Sequence, residues 1–239
     1  MNIAILLAAG SGERMNMNIS KQFILVNDIP LFIFSAKTFN DHPKIDSLII
    51  VTKIDDIQKV EDFCKEYKID KLSAVIPGGK TRQDSVYEAL SYLNERIDND
   101  DVVLIHDTAR PLISKEIIDE NLRAIKDNDA IETAIKAEDT IIKSGDGSAV
   151  DYIENRETIY QVQTPQSFRY RLIYYAHLKA KEEQKTFTDD ASLILALNKK
   201  VSIVKGSKRN FKVTTSDDLN ILKGYLKSDL DDYDGYPVS

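Results

Sequence analysis

Short runs of Ile, Val and Leu recur along the chain, separated by stretches whose apolar residues fall every three or four positions. This alternation limits the fold more than any other feature. A short apolar run between polar segments suits a strand buried on both faces, and a helical stretch after it suits the crossover to the next parallel strand. Strands are expected over 3–8, 47–52, 72–76, 102–106 and 130–135. Between them, Val60, Phe63, Cys64 and Tyr67 share one helical face, and so do Val86, Ala89, Leu90 and Leu93. Pro30 suits the first turn of a helix through Ala36, and Ser114 suits the cap of one running to about Lys126. Thr215 with Asp218 makes a capping box ahead of Leu219, Leu222, Tyr225 and Leu226. The expected class is α/β with a mostly parallel sheet flanked by helices.

One region departs from the alternation. Residues 139–143 and 149–153 are extended and flank Ser144-Gly145-Asp146-Gly147, a hairpin signal. Two strands cannot bury both of their faces alone, so the hairpin either folds over the main sheet or meets the same element of a second copy. The second reading, a protruding dimer arm over about 137–157, is favoured. The domain is expected over 1–227, with 228–239 ("SDLDDYDGYPVS") a flexible acidic tail of few apolar residues.

With 239 residues, 42% hydrophobic and 30% charged, the composition is that of a globular protein. A net charge of -7 argues against duplex nucleic acid as a partner but leaves room for one basic pocket. The first apolar run is too short to span a bilayer and has no charged leader, so no membrane association is expected. A single cysteine, Cys64, allows no internal disulfide and fits a reducing compartment; the expected location is cytoplasmic.

The segment "ILLAAGSGERMNMNISKQF" leads from the first strand into small residues, two glycines and the separated cations Arg14 and Lys21. Glycine-containing loops at the carboxyl edge of a parallel sheet are where nucleotides bind. A dinucleotide fingerprint would need a third glycine where Met15 stands, and a Walker motif would need Gly-Lys-Ser/Thr, which is absent. What remains is a backbone left open at Gly10 and Gly12, with a planar fork and a mobile point charge suited to a polyphosphate. The alternative is a plain turn with two solvated cations.

Three further stretches carry polar groups beyond strand ends. "PGGKTRQDSV" offers backbone, hydroxyl and amide groups to a base edge, or is a turn with Thr81 as helix cap. "VVLIHDTARP" sets Asp107 at a strand's carboxyl end, where it either holds Mg²⁺ or caps the next turn, and His106 reads best as a satisfied, semi-buried residue. "GSKRNFKVTT" brings Lys208, Arg209 and Lys212 together, as a phosphate site or as a solvated charge run.

Taken together, "LLAAGSGERM" with "SKQF", "GGKTRQDSV", "HDTARP", "NRETIYQVQTPQSF", "TDDAS" and "RNFKVTTSDDL" resemble the 2-C-methyl-D-erythritol 4-phosphate cytidylyltransferases over residues 2–226. The resemblance implies a Rossmann-like α/β nucleotidyltransferase, homodimeric through a β-arm, that uses CTP and Mg²⁺ and releases pyrophosphate. It implies that Arg14 and Lys21 are catalytic cations on the CTP phosphates. It implies nucleotide contacts at Ala8, Ala9, Gly10, Gly12, Gly79 and Ser85, a metal ligand in Asp107, and acceptor contacts from Arg110, Arg156, Thr188, Asp189 and Lys212. Arg156 would project from the partner's arm.

Ser20 stands where this family usually has Pro, and Thr108 where Ala is usual. "AIKAEDTIIK" lacks the family's proline before Asp139-Thr140, and with "YQVQTPQSF" it resembles the sister ribitol 5-phosphate cytidylyltransferases. Those enzymes typically begin Ala-Gly-Gly where this chain has Ala8-Ala9-Gly10. They also have one more residue between the Arg-Met and Lys-Gln pairs, and lack Asp-Asp-Ala-Ser. Methylerythritol phosphate is therefore the favoured acceptor, with ribitol phosphate as the alternative. A non-catalytic nucleotide-binding regulator is the third reading, disfavoured because such a protein would not need the acceptor cations.

Overall fold

A computed structural model describes residues 1–10 and 20–228. The chain opens with β1 (Asn2–Leu7), a short ribbon of β2 (Leu25–Val26) and β3 (Ile29–Pro30), and α1 (Leu31–Asn40). Then follow β4 (Ser47–Thr52), α2 (Ile57–Glu66), β5 (Leu72–Pro77), α3 (Arg82–Leu93), β6 (Val102–Asp107), α4 (Lys115–Ala124) and β7 (Ala130–Lys136). A hairpin of β8 (Ile142–Lys143) and β9 (Tyr152–Ile153) comes next. The chain continues through β10 (Tyr160–Arg169), α5 (Tyr170–Glu182), α6 (Asp190–Ala196), β11 (Ser202–Lys205) and α7 (Ser216–Ser228).

The expected strands form within a residue or two of their predicted bounds. Of the expected caps, Ser114 accepts from the Ile117 amide, and Thr215 and Asp218 exchange hydrogen bonds at the start of α7. Pro30 caps α1, which runs on to Asn40 rather than stopping at Ala36.

Seven strands form one sheet in the order β11-β7-β10-β6-β1-β4-β5. β10 runs antiparallel to β6 and β7, and the other pairings are parallel. Because strand side chains alternate between faces, each strand feeds two cores. Ala4, Leu6, Leu48, Ile50 and Leu104 point to the side covered by α1, α2 and α4, where Phe32, Phe39, Val60 and Ile118 meet them. Ile3, Ile5, Ile49, Val51, Val103 and Ile105 point to the side covered by α3, α5 and α6. Each such side chain contributes about 1.5–3 kcal/mol by leaving water. Cys64 lies in the first core, where burial, and less so the charge of Glu61, pushes its thiol up to about 12. A third cluster seals α7 against β2 and α1 through Leu219, Leu222, Val26 and Phe34.

The topology fixes where a ligand can sit. From β1 the chain steps outward to β4 and β5, then returns to β6 on the other side of β1. Such a reversal opens a crevice at the carboxyl ends of the two strands flanking it, here β1 and β6.

The hairpin stands outside the main sheet as a separate ribbon, with Ile142 opposite Ile153 and Lys143 opposite Tyr152. Its turn is held by Asp146, which accepts from the Ser148 amide at 2.8 Å and the Ala149 amide at 3.2 Å, and Gly147 adopts a φ of +73°.

Candidate active site

The crevice between β1 and β6 holds a cavity of about 650 Å³. Ala8, Ala9 and Gly10 line it just beyond β1, Gly78 to Arg82 and Ser85 from the loop and first turn after β5, and Asp107 and Thr108 from the end of β6. Lys21 and Lys212 also line it. Arg14 and Gly12 lie outside the described residues.

The glycines serve two different ends. A Cβ on Gly10 would meet nothing within 4 Å among the described residues. A Cβ on Gly79 would fall 2.2 Å from the Asp84 Cβ, and one on Gly78 2.8 Å from the Ser85 Oγ. Those two glycines let the loop lie against the start of α3, where Thr81 and Asp84 form a capping box. The first turn of α3 thereby faces the cavity, an electropositive backbone end suited to an anion. Ser85 is buried and donates to the Thr81 carbonyl at 2.9 Å, which leaves its oxygen able to accept.

Lys21 begins a short 3₁₀ turn, Lys21–Phe23, whose Gln22 and Phe23 are buried. Phe23 meets the rings of Phe32 and Phe63, so the turn is anchored on the core beneath the lysine. Ser20 accepts from Lys53 Nζ at 3.4 Å, and the Thr108 hydroxyl donates to the Leu7 carbonyl at 2.9 Å. The departure at 108 thus ties the ends of β1 and β6 together.

Asp107 is the most constrained group in the cavity. Arg82 Nε lies 3.2 Å from its Oδ1, Lys212 Nζ 2.6 Å from its Oδ2, and its amide donates to Thr164 Oγ1 at 3.2 Å. Burial alone would raise this carboxyl; Arg82 and then Lys212 outweigh burial and hold it well below the usual carboxylate range. Its side chain does not cap the following turn, which is closed by the backbone bond from Arg110 N to Asp107 O.

His106 is fully buried. Its Nε2 faces the Arg110 carbonyl at 3.1 Å and its Nδ1 the Thr164 hydroxyl at 3.0 Å, and burial lowers it to about 4. It is a satisfied structural residue, neutral at pH 7.

Among the described residues no group of three or more His, Cys, Asp or Glu side chains is placed to hold a metal. Among the described residues the cavity offers instead one ionised carboxylate, Asp107, beside cations. That donor set fits Mg²⁺, a hard cation that takes one or two protein carboxylates and completes its shell with phosphate oxygens and water.

A second recess of about 430 Å³ shares Lys212 with the first and is lined also by Arg110, Lys136, Gln163, Lys208 and Phe211. Arg110 spends its guanidinium on the backbone: Nη1 donates to the Asn210 carbonyl at 2.8 Å and Nη2 to the Val162 carbonyl at 3.1 Å. Asn210 in turn donates to the Thr164 carbonyl at 2.8 Å, and the Val213 amide to the Ala109 carbonyl at 2.8 Å. The loop carrying Lys212 is therefore clamped on both sides of it.

Arg156, Thr188 and Asp189 line neither recess. Arg156 lies at the foot of the hairpin and donates to the Glu138 carbonyl at 3.3 Å. Thr188 is exposed, and Asp189 caps α6 by accepting from the Ser192 amide at 2.9 Å. Two residues that sequence reasoning passed over, Arg82 and Asp190, are joined at 2.7 Å behind Asp107. Both sit inside segments already singled out by motif; their pairing is 108 positions long in sequence, and no local spacing reveals it.

Comparison with known proteins bears on the same region. The profile of the 2-C-methyl-D-erythritol 4-phosphate cytidylyltransferase family matches residues 2–228. Proteins of that name from Clostridium botulinum and Clostridium novyi are similar: the first is 40% identical over 91% of this chain and 94% of its own, the second 38% identical over 95% and 97%. The crystal structure of the 4-diphosphocytidyl-2C-methyl-D-erythritol synthase from Anaerococcus prevotii superposes with a TM-score of 0.82 at 32% identity, covering 95% of this chain and 96% of that one. The cytidylyltransferase from Thermus thermophilus gives 0.75 at 27%, covering 93% and 98%. The chain belongs to the 2-C-methyl-D-erythritol 4-phosphate cytidylyltransferase family.

Proposed function

We propose that the protein transfers CMP from CTP to 2-C-methyl-D-erythritol 4-phosphate, giving 4-diphosphocytidyl-2-C-methyl-D-erythritol and pyrophosphate. One observation carries the reading: a nucleotide-sized cavity and a neighbouring basic recess share Lys212, so two phosphorylated ligands can meet across one cation. The names of the relatives favour methylerythritol phosphate over ribitol phosphate as the acceptor.

The reaction needs no base and no covalent nucleophile. A phosphate monoester is anionic near neutral pH, and its oxygen attacks the α-phosphorus of CTP in line. The new P–O bond forms as the bond to the bridging α,β-oxygen breaks, and pyrophosphate carries that electron pair away. What the protein supplies is orientation and fixed positive charge. Ala8, Ala9, Gly10 and Gly79 present backbone to the nucleoside, Gly12 is assigned there on family resemblance, and the Ser85 oxygen is placed to accept from a donor such as the cytosine amino group. Lys21, which lines the cavity, is assigned to the triphosphate, and Arg14 joins it there on family resemblance. Asp107 would hold Mg²⁺, which when bound neutralises charge on the phosphate oxygens. Lys212 faces the acceptor, Arg110 lines the same recess while holding its loop through the Asn210 and Val162 carbonyls, and Thr188 and Asp189 are assigned to the acceptor hydroxyls on family resemblance.

The apolar side chains of the hairpin and its foot support a homodimer, since Ile142, Tyr152, Ile153, Tyr160 and Val162 are all exposed in the single chain. The partner's arm would then deliver Arg156. A CTP substrate and a lone buried cysteine fit a cytoplasmic enzyme. No helix among the described residues is long and apolar enough to cross a membrane.

The test is pyrophosphate release from CTP with each acceptor offered alone. Release with methylerythritol phosphate and little with ribitol phosphate is expected. The reverse preference would move the protein to the sister activity, and tight CTP binding without release would make it a regulator.

A further inference from the structure

Behind Asp107 lies a chain of charged side chains that the transfer chemistry leaves unused. Arg82, in the first turn of α3, reaches Asp107 Oδ1 through Nε at 3.2 Å and Asp190 Oδ2 through Nη1 at 2.7 Å. Asp190, in the first turn of α6, has 1% of its side chain exposed. Its Oδ1 meets His177 Nε2 on α5 at 3.1 Å, and that imidazole is as deeply buried. The Asp190 amide donates to Gln166 Oε1 on β10 at 3.3 Å, so the carboxylate is fixed from its backbone as well.

Two carboxylates around one guanidinium are costly to bury unless each is hydrogen-bonded, as both are here, although the outer nitrogen of the chain, His177 Nδ1, has no partner among the described residues. Here the arrangement spans three helices and the end of a strand, and its open end is Asp107, the one carboxylate among the described residues that line the cavity. An arginine held only by Asp107 would be free to swing toward a triphosphate entering the same cavity. Asp190 removes that freedom by holding the second arm of the fork. Each oxygen of Asp107 keeps a further lone pair.

We propose that Arg82 is a positioning residue for Asp107, locked in place by Asp190 and His177, and that this relay sets the affinity of the site for Mg²⁺ with CTP. The inference rests on the cytidylyltransfer reading. It assigns α5 and α6, which contribute no side chain to the cavity, a part in the geometry of the phosphate site.

The test uses the full chain and the variants Arg82→Gln, Arg82→Lys, Asp190→Asn and His177→Gln. Titration calorimetry measures CTP binding as Mg²⁺ is varied without acceptor, kinetics gives kcat and both KM values, and thermal melting reports folding. Loss of an outer hydrogen-bond partner costs about 10–100-fold in metal affinity or activity at comparable sites. Asp190→Asn is expected to raise the Mg²⁺ concentration for half-maximal CTP binding about tenfold and to lower kcat, leaving the acceptor KM within about twofold. Arg82→Lys is expected to rescue little, because an ammonium cannot span both carboxylates. Folded Asp190→Asn and His177→Gln with wild-type Mg²⁺ dependence would overturn the proposal, as would a lowered melting temperature with Mg²⁺ dependence unchanged. If Arg82 variants lose CTP affinity equally at all Mg²⁺ concentrations while Asp190→Asn is silent, Arg82 is a direct phosphate contact and the relay is wrong. Calorimetry separates this from the reaction assignment: a wild-type protein that binds CTP with Mg²⁺ but releases no pyrophosphate refutes the transfer reading and leaves the relay to be judged on binding alone.

Discussion

Lys212 Nζ rests 2.6 Å from Asp107 Oδ2, at the boundary shared by the two recesses. A charge-assisted hydrogen bond contributes about 1.5–3 kcal/mol, which converts to about 10–150-fold in binding. Lys212→Gln is therefore expected to raise the acceptor KM by one to two orders of magnitude while changing the KM for CTP by less than about threefold. Steady-state kinetics with each substrate varied checks this, and an unchanged acceptor KM and turnover would remove Lys212 from the acceptor site.

Lys21 is anchored by a buried 3₁₀ turn and belongs on the other substrate. Lys21→Ala and Arg14→Ala are expected to lower kcat by about 10²–10³, the cost of losing one preorganised charge stabiliser, with smaller effects on KM. Single-turnover measurements isolate the chemical step, and near wild-type rates in both variants would reject the assignment.

The expected parallel strands appear because each is an apolar run buried on both faces, and short apolar runs between polar segments mark such strands. β10 escaped that reading. Its centre, Gln163 to Ser167, is polar yet buried, and Pro165 cannot donate to a ladder. The register shifts between Gln163 and Ser167, so Pro165 falls within the irregularity, and the buried polar groups are spent on local tasks. Gln163 holds Ser207, Thr164 holds His106 and the Asp107 amide, and Gln166 holds Glu132 and Asp190. Site residues on strand-end loops were legible because glycines and cations cluster beside apolar runs. Arg82 and Asp190 were not, because their role exists only across the fold.

Arg156 offers a test of assembly as well as of chemistry. If it acts across the dimer, Arg156→Ala and Lys212→Ala subunits, each nearly inactive alone at acceptor concentrations far below their raised KM, complement each other when mixed. A mixed dimer has one site with both residues intact and one with neither, and random pairing makes half the dimers mixed. About a quarter of wild-type activity is then expected after subunit exchange, by the symmetry of a two-fold assembly. No recovery despite exchange would place Arg156 in its own chain's site. Ile153→Asp, at a side chain 66% exposed in the single chain, is expected to shift the protein to monomers in sedimentation velocity without loss of its melting cooperativity.

Glu132, on β7, sets a pH dependence of stability. Burial pushes its carboxyl up to about 8; the hydrogen bond from Gln166 opposes this, and the charges of Asp189 and Asp190 add to it. Its Oε1 has no hydrogen-bond partner among the described residues. The folded carboxyl therefore keeps a proton that the unfolded one, at its ordinary 4.5, has already lost. Between those two values the folded state binds more protons, so this group's contribution falls as pH rises from about 4.5 to 8 and is flat outside that window. The loss is on the order of a few kcal/mol, or several degrees of melting temperature for a chain of this size. Glu132→Gln keeps the shape and cannot ionise. Its melting temperature relative to wild type is expected to rise by several degrees between about pH 5 and pH 8.5. An equal difference at both pH values would show that Glu132 ionises normally in the fold.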